Sequence, residues 1–315
     1  MSISELLGKA AKGIKVFINT LILIMLVGCA TQTNSNLNVH QIERPFKLPT
    51  ILRPISSLDF TPIDESSGLV KSRKYSGVYW THNDSGDSAR LYAVAKNGKI
   101  IHPPGNIDYQ GILVFEAKNT DWEDIATDKE DNLIIGDFGN NHNNRKNLSI
   151  YILPEPDPIK DFQVNTKEEI LFNYPNQQNH DAEALFVANG NIYLMTKDRS
   201  GGYTMLYRIN RYAKHHIQTL TLVDIFDIGG QVTAADVSEG GRRLVVLTYT
   251  AIWLFDQPDD GSEHYFDGSI SWLPIFAGQC EAVCFVDDNT ILITNEKSKI
   301  FEVKLSDLIS LQSIS

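Results

Sequence analysis

The sequence predicts an all-β fold, a β-propeller of five blades, from three observations. Its apolar and alternating runs are short, as in "GVYWTH", "ARLYAVA", "NLIIGDF", "NIYLMTK", "LVVLTY" and "TILITN". Turn residues such as "NDSGD", "FGNN", "DRSGG" and "VDDN" punctuate them, with no long apolar period of 3.6 residues between. The runs also recur in one order in five units, which begin at Glu65, Asp121, Asp181, Thr233 and Gln279, spaced 56, 60, 52 and 46 residues apart. Four strands per unit at this period are the pattern of propeller blades.

Each unit supplies three clear strands. A fourth β-like run follows in the first four: "GILVFEA", "EEILFNY", "QTLTLVDIF" and "ISWLPIF". The fifth unit reaches Ser315 before a fourth strand, whereas "FKLPTILRPISSLDF", ahead of the first unit, has strand character and no unit of its own. The expected closure lets this N-terminal strand complete the fifth blade, which removes an exposed edge. Six blades are the alternative if residues 46–60 hold more than one strand, although no sixth motif is present.

The N-terminus reads as a leader. Lys9, Lys12 and Lys15 precede a run from Val16 to Val27 that is apolar except for Asn19 and Thr20 and short for a bilayer span. It ends in "LVGC", which resembles the lipobox of bacterial lipoproteins. The resemblance implies cleavage after Gly28, lipid on Cys29 and, with Ala30 following, the outer membrane of a two-membrane bacterium. The expected organisation is therefore a signal peptide over residues 1–28, a flexible tether over 29–45 and one propeller over 46–315. Losing three lysines and one glutamate with the leader moves the net charge from −11 to −13. That acidity argues against nucleic acid and anionic lipid as partners, since both need a basic footprint, and suits cations or a cationic ligand. Cys280 and Cys284, four apart in one strand, lie too far apart to bridge and are read as buried thiols.

The acids gather at the unit openings. Aligned on Leu69, Ile125, Leu185, Val237 and Val283, the units place Ser67, Glu123, Glu183, Ala235 and Glu281 two residues earlier. Glu65, Asp121, Asp181, Thr233 and Gln279 stand four residues earlier. Residues two apart on a strand share a face, so both columns are expected to line the channel. Converging carboxylates need a cation, and an oxygen-only set favours Ca²⁺; the expected ligands are Ser67, Glu123, Glu183 and Glu281. The plainer alternative is that the acids bind backbone amides and join blades. Asp124, matched only by Asp236, is read as local. Asn83, Asp84, Asp137, Asn141, Asp198, Asn295 and Glu296, at the ends of the second strands, form an expected rim, although these residue types also suit tight turns. His82 and His180 border it as candidate general bases.

The openings "ESSGL", "DWEDI", "DAEAL" and "CEAV", each followed by a strand ending in "HND", "GD", "TKD" or "TNE", resemble those of bacterial envelope propellers of the SdiA-regulated family. More distantly they are similar to phytase-like propellers. The Ser/Glu/Glu/Glu column is similar to the calcium ring of five-bladed calcium-activated nucleotidases, which implies a calcium role for those four residues and none for Ala235. Two functions are expected from these readings. One is a membrane-anchored monomer that binds a small molecule, glycan or envelope protein. The other is a calcium-dependent hydrolase of phosphoester, nucleotide or lactone substrates.

Overall fold

The five repeats fold as five four-stranded antiparallel sheets arranged as a propeller, seen in a computed structural model that describes residues 39–200, 202–209 and 217–311. The leader, Cys29 and the tether up to residue 38 lie outside the described residues. From the channel outward, the first blade is Ser66–Lys71, Val78–Asn83, Arg90–Ala95 and Ile112–Phe115. The second is Trp122–Thr127, Asn132–Asp137, Leu148–Pro154 and Glu168–Asn173, and the third is Ala182–Ala188, Asn191–Thr196, Tyr203–Ile209 and Thr221–Asp227. The fourth is Val232–Val237, Arg243–Thr248, Ala251–Asp256 and Ile270–Phe276. Cys280–Asp287, Thr290–Asn295 and Lys299–Lys304 make the fifth, and its outer strand is Ser56–Ser57. The N-terminal segment thus closes the ring as expected, and the count is five.

Each inner strand packs against the inner strands of both neighbours. Strand alternation explains why the ring holds. On the second strand of the second blade, Ile134 faces the third blade, whereas Leu133 and Ile135 on either side of it face the first. The apolar core accordingly divides into five clusters, one at each blade junction, and the junction between fifth and first blades is built from Ala282, Cys284 and Leu292 against Leu69, Tyr79 and Tyr92. Cys280 and Cys284 are buried and unpaired.

The outer edges of four blades carry a further short parallel strand. Gln163–Asn165 covers the first blade, Gln218–Thr219 the second, Val39–His40 the third and Thr50–Ile51 the fourth. Such pairing satisfies backbone groups that an open edge would offer to another chain. It also engages residues that the sequence assigns to a flexible tether. Residues 39–45 pack on the propeller: His40 Nε2 meets Asp224 (3.3 Å), and Arg44 donates to the Ile228 carbonyl (3.0 Å) over the ring of Trp253. Gly229 makes room for that guanidinium, because a Cβ there would overlap it.

Candidate functional site

Every blade has a bulge at the start of its inner strand. The pairing steps from Ser66–Asn83 to Gly68–His82, from Trp122–Asp137 to Ile125–Ile135, and from Ala182–Thr196 to Ala184–Met195. In the last two blades it steps from Val232–Thr248 to Ala234–Leu247 and from Cys280–Asn295 to Ala282–Thr294. The inserted residues are Ser67, Glu123, Glu183, Thr233 and Glu281. A bulge takes its extra side chain out of the regular alternation, which is how a strand can present an acid without exposing its apolar face. The fifth member is Thr233 and not Ala235, so the sequence alignment of the fourth unit ran two residues late. The missed signal was "QVTAA" against "QCEAV", in which Gln231 matches Gln279. The Thr233 hydroxyl is buried and has no hydrogen-bond partner among the described residues.

The ends of the second strands lie beside these openings, as expected. Backbone N–H groups of Asp84, Gly139, Lys197 and Glu296 donate to the carbonyls of Glu65, Asp121, Asp181 and Gln279, at 3.0, 3.1, 2.9 and 3.0 Å. One channel mouth therefore gathers both sets. Within it, carboxylate oxygens of Asp84, Asp121 and Glu123 all lie within 4.8 Å of one another. Gly139 covers this trio closely, and a Cβ there would overlap both Glu123 and Asp121.

The trio is under electrostatic load. Burial, and then Asp84, push Asp121 up to about 6 against the pull of Arg145. Asp84 is raised by burial, with Lys197 opposing. Glu123 is held well above the usual carboxylate range by burial first, then by Glu183, Asp84 and Asp121. The interaction with Glu183 raises Glu123 and lowers Glu183, so of the two acids Glu123 binds its proton the more tightly.

The other half of the mouth contains its own cation. Lys197 Nζ lies 2.9 Å from Glu183 and 3.0 Å from the Tyr249 hydroxyl, and 5.0 Å from the centre of that ring. Burial opposes the lysine's charge, but Glu183 and Tyr249 outweigh it and raise its pKa. Burial pushes Glu281 up to about 8, with Lys197 opposing and Glu183 and Glu296 adding to the rise. The expected ligand set of Ser67, Glu123, Glu183 and Glu281 is thus divided. Ser67 donates its hydroxyl to the Glu123 carbonyl (2.9 Å), Glu183 is held by Lys197, and Glu281 hydrogen-bonds Tyr249. Only Glu123 remains with the clustered acids, joined by Asp121 from the second tier and Asp84 from the rim.

The remaining predicted residues separate by role. Asp181 pairs with Arg199 (2.6 Å), which also meets Asn141, and Asp137 pairs with Arg145 (2.8 Å). Glu65 is exposed and lines a side groove of about 350 Å³ with Asp64 and Asp87. Asn83 donates to Pro62 and Asp87, both at 2.7 Å, and Asp198 accepts from the Ser200 amide at 2.8 Å. Asn295 accepts from the amides of Lys297 and Lys299, as a turn residue does, and Glu296 accepts from Gln279. His82 is wholly buried, edge-on to Trp122, and burial lowers its pKa to about 4. His180 packs against Tyr174 and Tyr207, and burial lowers it too.

Asp124 is the residue whose role the sequence concealed. It is fully buried, and its carboxylate accepts from the amides of Ile125 (2.9 Å), Leu185 (2.9 Å) and Ala235 (3.2 Å). One side chain therefore joins the second, third and fourth blades on the inner ring. Asp236 repeats the device, accepting from Val237 and Phe285, both at 2.8 Å, and so joins the fourth blade to the fifth.

Comparison with protein-family models finds no match to this chain, and no curated protein matches its sequence.

Proposed function

We propose that the chain is a cell-envelope propeller, tethered to the membrane through Cys29, whose channel mouth binds a divalent cation, Ca²⁺, and through it a small molecule, glycan or envelope protein. The observation that carries the reading is the Asp84–Asp121–Glu123 trio. Three acids whose oxygens lie within 4.8 Å, with Glu123 pushed well above the usual carboxylate range by burial and by the others, form a set that a hard cation would neutralise at once. Three carboxylates leave coordination positions for water and for a ligand's own oxygens. The likeness of the unit openings to SdiA-regulated propellers supports the envelope setting, and of the nucleotidase-like column Glu123 is the member that belongs to the trio. Binding is favoured over hydrolysis because His82 is wholly buried, out of reach of a cation-bound water, and His180 packs against Tyr174 and Tyr207.

Thermal melting and titration calorimetry of residues 29–315 test this. Added Ca²⁺ is expected to raise the melting temperature over that in EDTA; saturation at a hundredfold Kd corresponds to about 2.7 kcal/mol. Glu123→Gln combined with Asp84→Asn is expected to abolish both the heat and the rise, while leaving the metal-free protein as stable or more so, since a buried acid under repulsion is removed. A wild-type protein that neither melts later nor binds Ca²⁺ overturns the reading. The anchor is tested separately. Cys29→Ala is expected to move the protein from the membrane to the soluble fraction, with the lipid mass absent from its N-terminal peptide.

A further inference from the structure

The N-terminal arm has two faces with different destinations. Ile42 is buried in the core between third and fourth blades, and Leu52 packs on the core between fourth and fifth. The opposite face is apolar yet open to solvent: Phe46 is 94 % exposed, Leu48 74 % and Ile51 74 %. Ile51 is in parallel register with Phe276, itself 66 % exposed, so the two side chains stand on the same side of adjacent strands. Single exposed apolar residues need no explanation, but three in six positions beside a fourth form a patch.

The charge of the arm is also exceptional. Residues 41–55 hold Arg44, Lys47 and Arg53 against Glu43, a net charge of +2 in a chain that is otherwise strongly acidic. Arg44 is engaged with Ile228 and Trp253, which leaves Lys47 and Arg53 interleaved with the exposed apolar side chains. Apolar side chains among basic ones, in an otherwise repelling surface, fit the interface of a bilayer with anionic headgroups. Position agrees. Nine residues separate Cys29 from Val39, so a tether from a lipidated Cys29 reaches at most about 34 Å before the arm begins.

We propose that the outer face of the arm, Phe46, Leu48, Ile51 and Phe276 with Lys47 and Arg53, is a membrane contact that lays the propeller on its side. Ile51 and Phe276 sit on the outer edge of the fourth blade, so this contact leaves the acidic channel mouth facing along the bilayer and open to a ligand. The proposal shares with the preceding reading only the tether at Cys29.

The test uses residues 29–315 carrying Cys29→Ser, so that no lipid contributes, and co-sedimentation with vesicles of phosphatidylethanolamine and phosphatidylglycerol. The protein is expected to partition onto them, and Phe46→Ser with Leu48→Ser and Ile51→Ser to weaken partitioning by about tenfold or more. Lys47→Glu with Arg53→Glu is expected to weaken it on these vesicles and to have little effect on pure phosphatidylcholine. The triple variant should keep the wild-type melting temperature and Ca²⁺ response, since the replaced side chains are 74–94 % exposed. No partitioning by the parent, or an unaltered triple variant, overturns the proposal. So does a concentration-dependent dimer, lost in the triple variant, without vesicle binding. Lipidation of the full chain is read by mass spectrometry. An unmodified Cys29 with vesicle binding retained removes the anchor and keeps the contact; a lipidated Cys29 without binding by the serine variant does the reverse.

Discussion

Asp124→Ala is expected to destabilise the protein by about 4 kcal/mol, more than any change at the channel mouth. Three amides, of Ile125, Leu185 and Ala235, lose their acceptor at once in a place that water does not reach. A buried polar group left unpaired costs about 1–3 kcal/mol, and the loss falls on three blades together. Burial pushes the Asp124 pKa up while its three amide donors pull it down, so the carboxylate and its donors depend on one another. Asp124→Asn keeps one acceptor oxygen but turns an NH₂ group toward amides that themselves donate, and is expected to behave similarly. Asp236→Ala orphans two amides and should cost about 2–3 kcal/mol. Urea unfolding measures all three. A value for Asp124→Ala within about 1 kcal/mol of wild type would sink the assignment of this residue as the joint of the inner ring.

The metal-free protein is expected to lose stability as pH rises from 6.5 to 8. Glu281 is pushed up to about 8 by burial, and Asp236 to about 7 for the same reason. A carboxyl whose pKa is raised on folding binds more protons folded than unfolded, so stability falls with pH until the folded group titrates. Below pH 6.5, His82 and His180 act in the opposite sense. Their lowered pKa values mean that the unfolded chain takes up protons there first. The interval from 6.5 to 8 isolates the acids. Across it the expected loss is on the order of 2 kcal/mol for Glu281 and less for Asp236. Glu281→Gln should flatten much of the slope when unfolding in EDTA is followed at several pH values. Ca²⁺ binding should tighten over the same rise, because Glu123, held well above the usual carboxylate range, gives up its proton more readily to admit the ion. A stability that increases between pH 6.5 and 8 in EDTA contradicts this account.

The fold was legible because a repeat declares itself five times. Strand runs, turn residues and unit spacing all agreed, and the missing strand of the fifth unit pointed to its donor at the N-terminus. The site was legible only where it obeys the repeat. Glu123, Glu183 and Glu281 recur, and the bulge does place them in one ring. Asp124 was hidden for a geometric reason. One carboxylate on the inner ring reaches amides of three blades, and a device used at two of the five blades leaves no regular periodic trace. Nothing in "MTKD" shows that the ammonium of Lys197 joins Glu183 to Tyr249 of the neighbouring blade. The alignment error in the fourth unit has a similar origin. Thr233 carries no charge, and Asp236 imitates Asp124 two residues away from the matching place.

The pairing of Ser56–Ser57 with Lys299–Ile300 joins parts of the chain that are made far apart in time. The N-terminal arm is synthesised first, yet each blade edge that it covers belongs to the second half of the sequence. Closing a loop of this length carries an entropic penalty that only the finished ring offsets. The early arm must therefore wait, unpaired, until residues near 300 are available. A chain built in this way reaches its folded state late and all together, and its ring remains open until residues near 300 have been made.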